Sequence, residues 1–250
     1  MPRSRSLSVL AGVVVLTASS LAAGPDNGLG LPTLEEVTDR LVQADRWRTA
    51  SLQRYISLRR YRAENKRFHK RAEMVVRVKY TFPGKKEFEV ISTSGSGIVQ
   101  RLVLRRLIET EKKTSEDEEA REHTRITPEN YQFQWLGADV IDARPCYRLA
   151  VEPRRKTPLL FRGVIWVDAE DSAVVRIEGS PAKSPSFWTR KIRFEQRYGK
   201  VGPFWLPLSN ESRSEVRIFG DSETSIEYCE YEINQAPVET TTGSEAGRLP

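Results

Sequence analysis

The sequence predicts an α+β fold: one large, curved antiparallel sheet wrapped over a few helices. Three observations carry this. Apolar residues alternate with period two through about ten successive segments, which is the pattern of half-buried strands. Short turn signals separate most of them, so neighbours in sequence pair as hairpins. Only two stretches have helical periodicity, one ahead of the first strand and one between the early and late strands. Such a sheet gathers the apolar half of each alternation on one face. Where helices plug that face it is a core, and where they lift it is a pocket.

Residues 1–23 have the three-part build of a signal peptide: Arg3 and Arg5, the mostly apolar run Leu7 to Leu16, then small residues ending at Ala22 and Ala23. The run is shorter than the roughly 20 residues that a spanning helix needs. Cleavage there leaves residues 24–235 as one domain and 236–250 as a disordered tail without apolar pattern. After a Gly- and Pro-containing leader, Thr33 and Glu36 form a capping box, and Leu34, Val37, Leu41, Ala44 and Trp47 make one apolar helical stripe.

Strands follow at Leu52 to Tyr61, Ala72 to Tyr80 and Lys86 to Thr93, with Pro83 and Gly84 turning between the last two. Ser94 to Gly97 is a flexible connection into a helix from Ile98 to about Lys113. Its Ile98, Val99, Leu102, Val103, Leu107 and Ile108 are expected to cover the sheet, and the acidic run Glu116 to Glu122 to be a solvated face or loop. The second half is almost all strand. Tyr131, Phe133 and Trp135 alternate, as do Tyr147, Leu149 and Val151. Phe161 to Val167 and Ala173 to Ile177 flank a tight turn at Ala169, Glu170 and Asp171. Trp188 to Tyr198, Phe204 to about Phe219 and Glu223 to Ile233 complete the series.

The chain has 250 residues with 40 Lys+Arg, 34 Asp+Glu and a net charge of +6. Losing Arg3 and Arg5 leaves about +4, too mild for a nucleic-acid binder. Basic residues cluster at Arg59, Arg60 and Arg62, at Lys66 to Arg71 and at Arg154 to Lys156; these read as solvated strand ends or as attractors of an anionic partner. An oxidising compartment permits Cys146 and Cys229, the only cysteines, to pair, provided their strands are adjacent.

No catalytic set stands out, and no cofactor or metal is implied. The two histidines, His69 and His123, have no metal-ligand spacing, and neither a nucleophile elbow nor a phosphate-binding glycine loop occurs. Asp168, Glu170 and Asp171 are carboxylates of the kind that glycoside hydrolysis uses, but three acids in one turn are expected to face solvent together.

The segment Phe161-Arg-Gly-Val-Ile-Trp-Val-Asp168, its Asp turn and the strand to Glu178, with Pro185-Ser-Phe-Trp188 and Val201-Gly-Pro-Phe-Trp-Leu-Pro207, resembles the LolA-like outer-membrane lipoprotein-sorting family. The resemblance spans residues 33–234 and rests on the order of elements as much as on these segments. It implies an incomplete β-barrel over helices that binds lipid or lipoprotein acyl chains in its concavity without chemistry, as a periplasmic, monomeric carrier or chaperone. The lipidated Cys of membrane-bound relatives is absent near the expected cleavage point. Met74, Val76, Val78, Tyr80, Phe88, Phe133, Trp135, Tyr147, Leu149, Phe194 and Trp205 are the residues expected to line such a cavity, or to be ordinary core. Two other functions compete with the carrier: a module that binds inner- or outer-membrane envelope proteins through a strand edge or basic surface, and a hydrolase acting through Asp168 or Glu170.

Overall fold

The computed structural model describes residues 30–184, 189–217 and 220–234. The expected signal peptide, Trp188 and the tail from 236 lie outside the described residues. Helix α1 (Leu34–Ser51) starts on the predicted capping box: the Glu36 N–H donates to Thr33 Oγ1 at 3.1 Å and the Thr33 N–H to Glu36 Oε2 at 2.8 Å. Its Val37 and Leu41 are buried, and Trp47, at the far end of the stripe, stacks on Phe204 at 5.3 Å between ring centroids.

Among the described residues ten strands follow: β1 (Arg54–Asn65), β2 (Lys70–Thr81), β3 (Lys85–Gly95), β4 (Tyr131–Ile141), β5 (Arg144–Pro153), β6 (Phe161–Asp168), β7 (Val174–Pro181), β8 (Thr189–Val201), β9 (Phe204–Val216) and β10 (Gly220–Ile233). They form one antiparallel sheet in the order β3-β2-β1-β10-β9-β8-β7-β6-β5-β4. Nearly every neighbour pair is a sequential hairpin. The exception is β1 with β10, where Tyr61 faces Ile226 and Ala63 faces Thr224. The sheet is curved and unclosed, with β3 and β4 as its edges, which is the architecture the alternation predicts.

Between β3 and β4 run α2 (Gly97–Val99), a π-helical turn (Gln100–Leu104), α3 (Arg105–Glu116) and α4 (Glu118–Thr124). Gly95 swings the chain out of β3 with φ 79°, and a Cβ there would lie 2.4 Å from the Arg71 carbonyl oxygen. The acidic run is therefore helical and not a loop: Asp117 caps α4, its Oδ1 accepting from the Ala120 N–H at 3.0 Å.

The π turn changes which apolar residues meet the sheet. The Arg105 N–H bonds to the Gln100 carbonyl, five residues back, so residues five apart come onto one face. Val99 and Leu104 are buried, with Val103 and Ile108 packed beside them. Ile98, Leu102 and Leu107, expected inside, remain 61%, 47% and 36% exposed.

Cys146 and Cys229 are both free. They sit on β5 and β10, with β6 to β9 between them in the sheet, whereas a disulfide needs Cα atoms within about 7 Å.

Candidate functional site

Residues directly opposite each other in antiparallel strands share a face, so the inner surface can be read from the register. On β6 and β7, Ile165 faces Ile177; on β5, Leu149 faces Ile165. With Tyr131, Val151, Leu160 and Val167 they form an apolar half of the concave face, covered by Val37 and Leu41 of α1. Phe133, Trp135, Tyr147 and Phe194 pack around this cluster. Gly163 and Gly179 face each other here, and a Cβ on Gly163 would lie 1.9 Å from the Glu178 carbonyl oxygen, so neither position tolerates a side chain.

On β1 and β2 the inner half holds Tyr61, Ala63, Ala72, Met74, Val76 and Val78, under Val99 and Leu104, with Phe88 beside them. Met74, Val76, Val78 and Leu149 have no exposed surface. Tyr80 lies at the margin of a third cluster with Leu52, Phe204 and Leu206, its ring stacked on Tyr55 at 5.0 Å. Ten of the eleven expected lining residues thus lie on the inner side, divided among three clusters.

Trp205 is the exception. On β9 the buried inward positions are Phe204 and Leu206, so Trp205 takes the opposite face and packs with Cys146, Trp166 and Val175 in a small outer core. Between the two covered halves the inner face turns polar: Asn210 faces Gln196 across β8 and β9, its Nδ2 donating to Gln196 Oε1, while Ser212 faces Thr224 on β10.

One charged cluster is built into the inner face. Alternation along β1 puts Tyr55, Ser57, Arg59, Tyr61 and Ala63 on one side, which separates Arg59 from its sequence neighbours Arg60 and Arg62. Arg60 and Arg62 stay outside, paired with Glu73 and Glu227. Arg59 is 2% exposed, and its Nη1 donates to both oxygens of Glu111 on α3, at 2.8 and 2.9 Å. Lys86 of β3 donates to the same carboxylate at 2.6 Å, Arg59 Nη2 donates to the Tyr55 hydroxyl at 3.2 Å, and the guanidinium lies 4.8 Å from the Tyr228 ring centroid. Burial opposes the charge on Glu111, but Lys86 and Arg59 outweigh it and bring its pKa down to about 2. Burial pushes the Tyr61 hydroxyl up to about 12. The cluster fixes α3 to the floor of the concavity. The sequence groups Arg59 with a surface patch; the sign that it differs is its parity with Tyr55 and Tyr61.

The acidic turn is not a pair of facing carboxylates. Asp168 is 1% exposed, so the three acids do not all face solvent; Asp168, Glu170 and Asp171 all accept from Arg144. Asp168 Oδ1 also accepts the backbone N–H groups of Glu170 and Asp171, which shapes the turn. Burial raises the Asp168 pKa, but Arg144 and these N–H groups hold it below the ordinary carboxylate range. Asp171 in turn accepts from Lys200 and from Trp205 Nε1, so this knot ties the β4–β5, β6–β7 and β8–β9 hairpins together. Among the described residues no group of His, Cys, Asp and Glu is arranged to hold a metal ion. A depression of about 620 Å³ near the β1–β2 turn is lined largely by charged and polar side chains, among them Arg62, Glu73, Arg213 and Glu223, and is unsuited to hydrocarbon.

Among the described residues no helix is long and apolar enough to cross a membrane. The fold is similar to a DUF1329 family protein from Desulfovibrio piger (TM-score 0.40, 14% identity, covering 80% of this chain and 92% of that one). It is also similar to a putative outer membrane lipoprotein-sorting protein domain from Vibrio parahaemolyticus (TM-score 0.41, 9% identity, 81% and 95%). A third similar structure is a LolA superfamily protein from Nitrosomonas europaea (TM-score 0.37, 12% identity, 83% and 96%). No curated protein matches the sequence. A family model described as "Family of unknown function (DUF5686)" matches residues 61–231, and the chain belongs to that family.

Proposed function

We propose that this chain is a non-enzymatic carrier, working outside the cytoplasm, that holds a lipid or lipoprotein acyl chain against the inner face of its sheet, with α1 and α3 as displaceable covers. The observation that supports this is the division of the inner face into two apolar halves, each covered by a helix that is not part of the sheet, with a polar seam between. Hydrocarbon can replace helix side chains on such a face at little cost, because each buried methylene contributes about 0.8 kcal/mol whichever molecule supplies it. Met74, Val76, Val78, Phe88 and Leu149 are then the floor, and Arg59, Lys86 and Glu111 a latch that keeps α3 down until cargo arrives.

The test is extraction of the purified protein with organic solvent and mass spectrometry of the extract, followed by titration with a fluorescent acyl probe. Bound lipid, or saturable probe binding that is strengthened by Glu111→Gln, is expected. A protein that is empty and ignores the probe ends the proposal. A second reading, capture of an envelope protein by strand addition, is favoured by the free edge of β4, where Val140 is 65% exposed. Pull-down from envelope extract with and without Val140→Lys distinguishes it.

A further inference from the structure

The outer side of the α2–α3 segment combines exposed apolar residues with exposed arginines. The π turn leaves Ile98, Leu102 and Leu107 as an apolar stripe facing away from the sheet. Arg101, Arg105 and Arg106 are exposed beside it, and none of them has an ion-pair or hydrogen-bond partner among the described residues. Elsewhere arginines are commonly paired: Arg60 and Arg62 with Glu73 and Glu227, Arg77 with Glu89, and Arg125 with Asp45. On the edge strand that leads into this helix, Val90 and Ile91 are also about half exposed.

An apolar stripe flanked by unpaired cations is the composition of a helix that lies in a membrane interface, its hydrocarbon side chains in the acyl boundary and its guanidinium groups on anionic headgroups. We propose that the outer face of the α2–α3 segment is a docking surface for an anionic phospholipid bilayer. Charge decides for this occupant over a second copy of the chain: self-association would bring the three arginines of one copy against those of the other, whereas an anionic surface neutralises them. Such docking is independent of what the inner face carries. If the carrier proposal also holds, docking acts on the helix that Glu111 latches, so the bilayer engages the cover itself.

The experiment is co-sedimentation of the purified chain with vesicles of phosphatidylcholine alone and with added phosphatidylglycerol, at low and high salt. Binding is expected only with phosphatidylglycerol, and weaker at high salt. Arg101→Glu with Arg105→Glu is expected to lower it by more than roughly 30-fold, since each arginine lost is worth about five-fold at an anionic surface and each glutamate gained adds repulsion. The charge-matched control, Arg40→Glu with Arg46→Glu on exposed positions of α1, is expected to bind nearly as the parent does. Ile98→Asp with Leu102→Asp is expected to abolish binding while the circular dichroism spectrum stays unchanged, since both residues are exposed. Equal binding to neutral vesicles, equal loss in both charge-swapped variants, or a concentration-dependent dimer abolished by Ile98→Asp overturns the proposal. Acyl-probe titration in the absence of vesicles reads the inner face separately, so failure of one function is distinguishable from failure of the other.

Discussion

The two halves of the inner face are covered by opposite means. Over β4 to β7, α1 lies on the sheet through Val37 and Leu41, contacts that are apolar, non-directional and indifferent to salt. Among the described residues its one ion pair to a neighbouring element, Asp45 with Arg125 at 2.8 Å, reaches the segment ahead of β4 and not the sheet. Over β1 to β3, α3 adds to its apolar contacts a carboxylate held by a buried guanidinium and an ammonium. A cover held by area alone comes off gradually as area is lost, whereas one held by buried charge is set by whether that charge is matched. Hydrocarbon would displace the first in proportion to the area it replaces, and the second only when the buried charge stays matched.

The sharpest way to break this contrast is Glu111→Ala, which leaves Arg59 buried without its counter-charge. A loss of about 3 to 5 kcal/mol is expected in urea unfolding, and most of it should return when Arg59→Met is added, because the unmatched charge is then gone. The same contact titrates. The Glu111 pKa is depressed in the folded state, so the stabilisation is complete above its ordinary value near 4.5 and is lost as pH falls toward about 2. Stability measured from pH 6 down to 2 should therefore decline for the parent and be flatter for Glu111→Gln.

On the other half, Leu41→Ala is expected to cost about 3 kcal/mol with no dependence on ionic strength; a strong salt effect would erase the distinction between the covers. Gly163→Ala tests the floor beneath α1. Its Cβ meets the Glu178 carbonyl oxygen, so strands β6 and β7 must part, at roughly 2 kcal/mol in thermal unfolding. The smallest effect is expected outside both halves: Arg62→Ala removes a 45% exposed member of the outer ion-pair ladder and should change stability by about 0.5 kcal/mol or less.

Strands were readable because alternation is a local property, and the meander follows from short turns: β2, β4, β5 and β6 fall close to where Met74, Trp135, Leu149 and Ile165 place them. What could not be read is whatever depends on phase. Helical spacing at 3.6 residues puts Ile98 and Leu102 against the sheet, but one turn of i→i+5 bonding rotates them away and brings Leu104 in. Trp205 is aromatic and on a strand, which says nothing about which of two faces it takes; Phe204 and Leu206 hold the inner one. Arg59 looks like part of a basic cluster because charge is counted along the chain, while burial is decided across the strand. The partner Glu111 lies 52 residues away, beyond any local pattern.

The pairing of β1 with β10 has a consequence for how the protein comes into being. Tyr55 neighbours Ile233, so the strand made first is completed by the strand made last. Every other link in the sheet can zip up as the polypeptide emerges, but this one must wait for the last strand and then close a loop of 157 residues or more. Until that moment the outer edge of β1 is an open template for pairing with other molecules, and a chain stopped short of Gly220 never gains the strand that blocks it. Shielding that edge until β10 is made is thus a demand that the topology places on the cell.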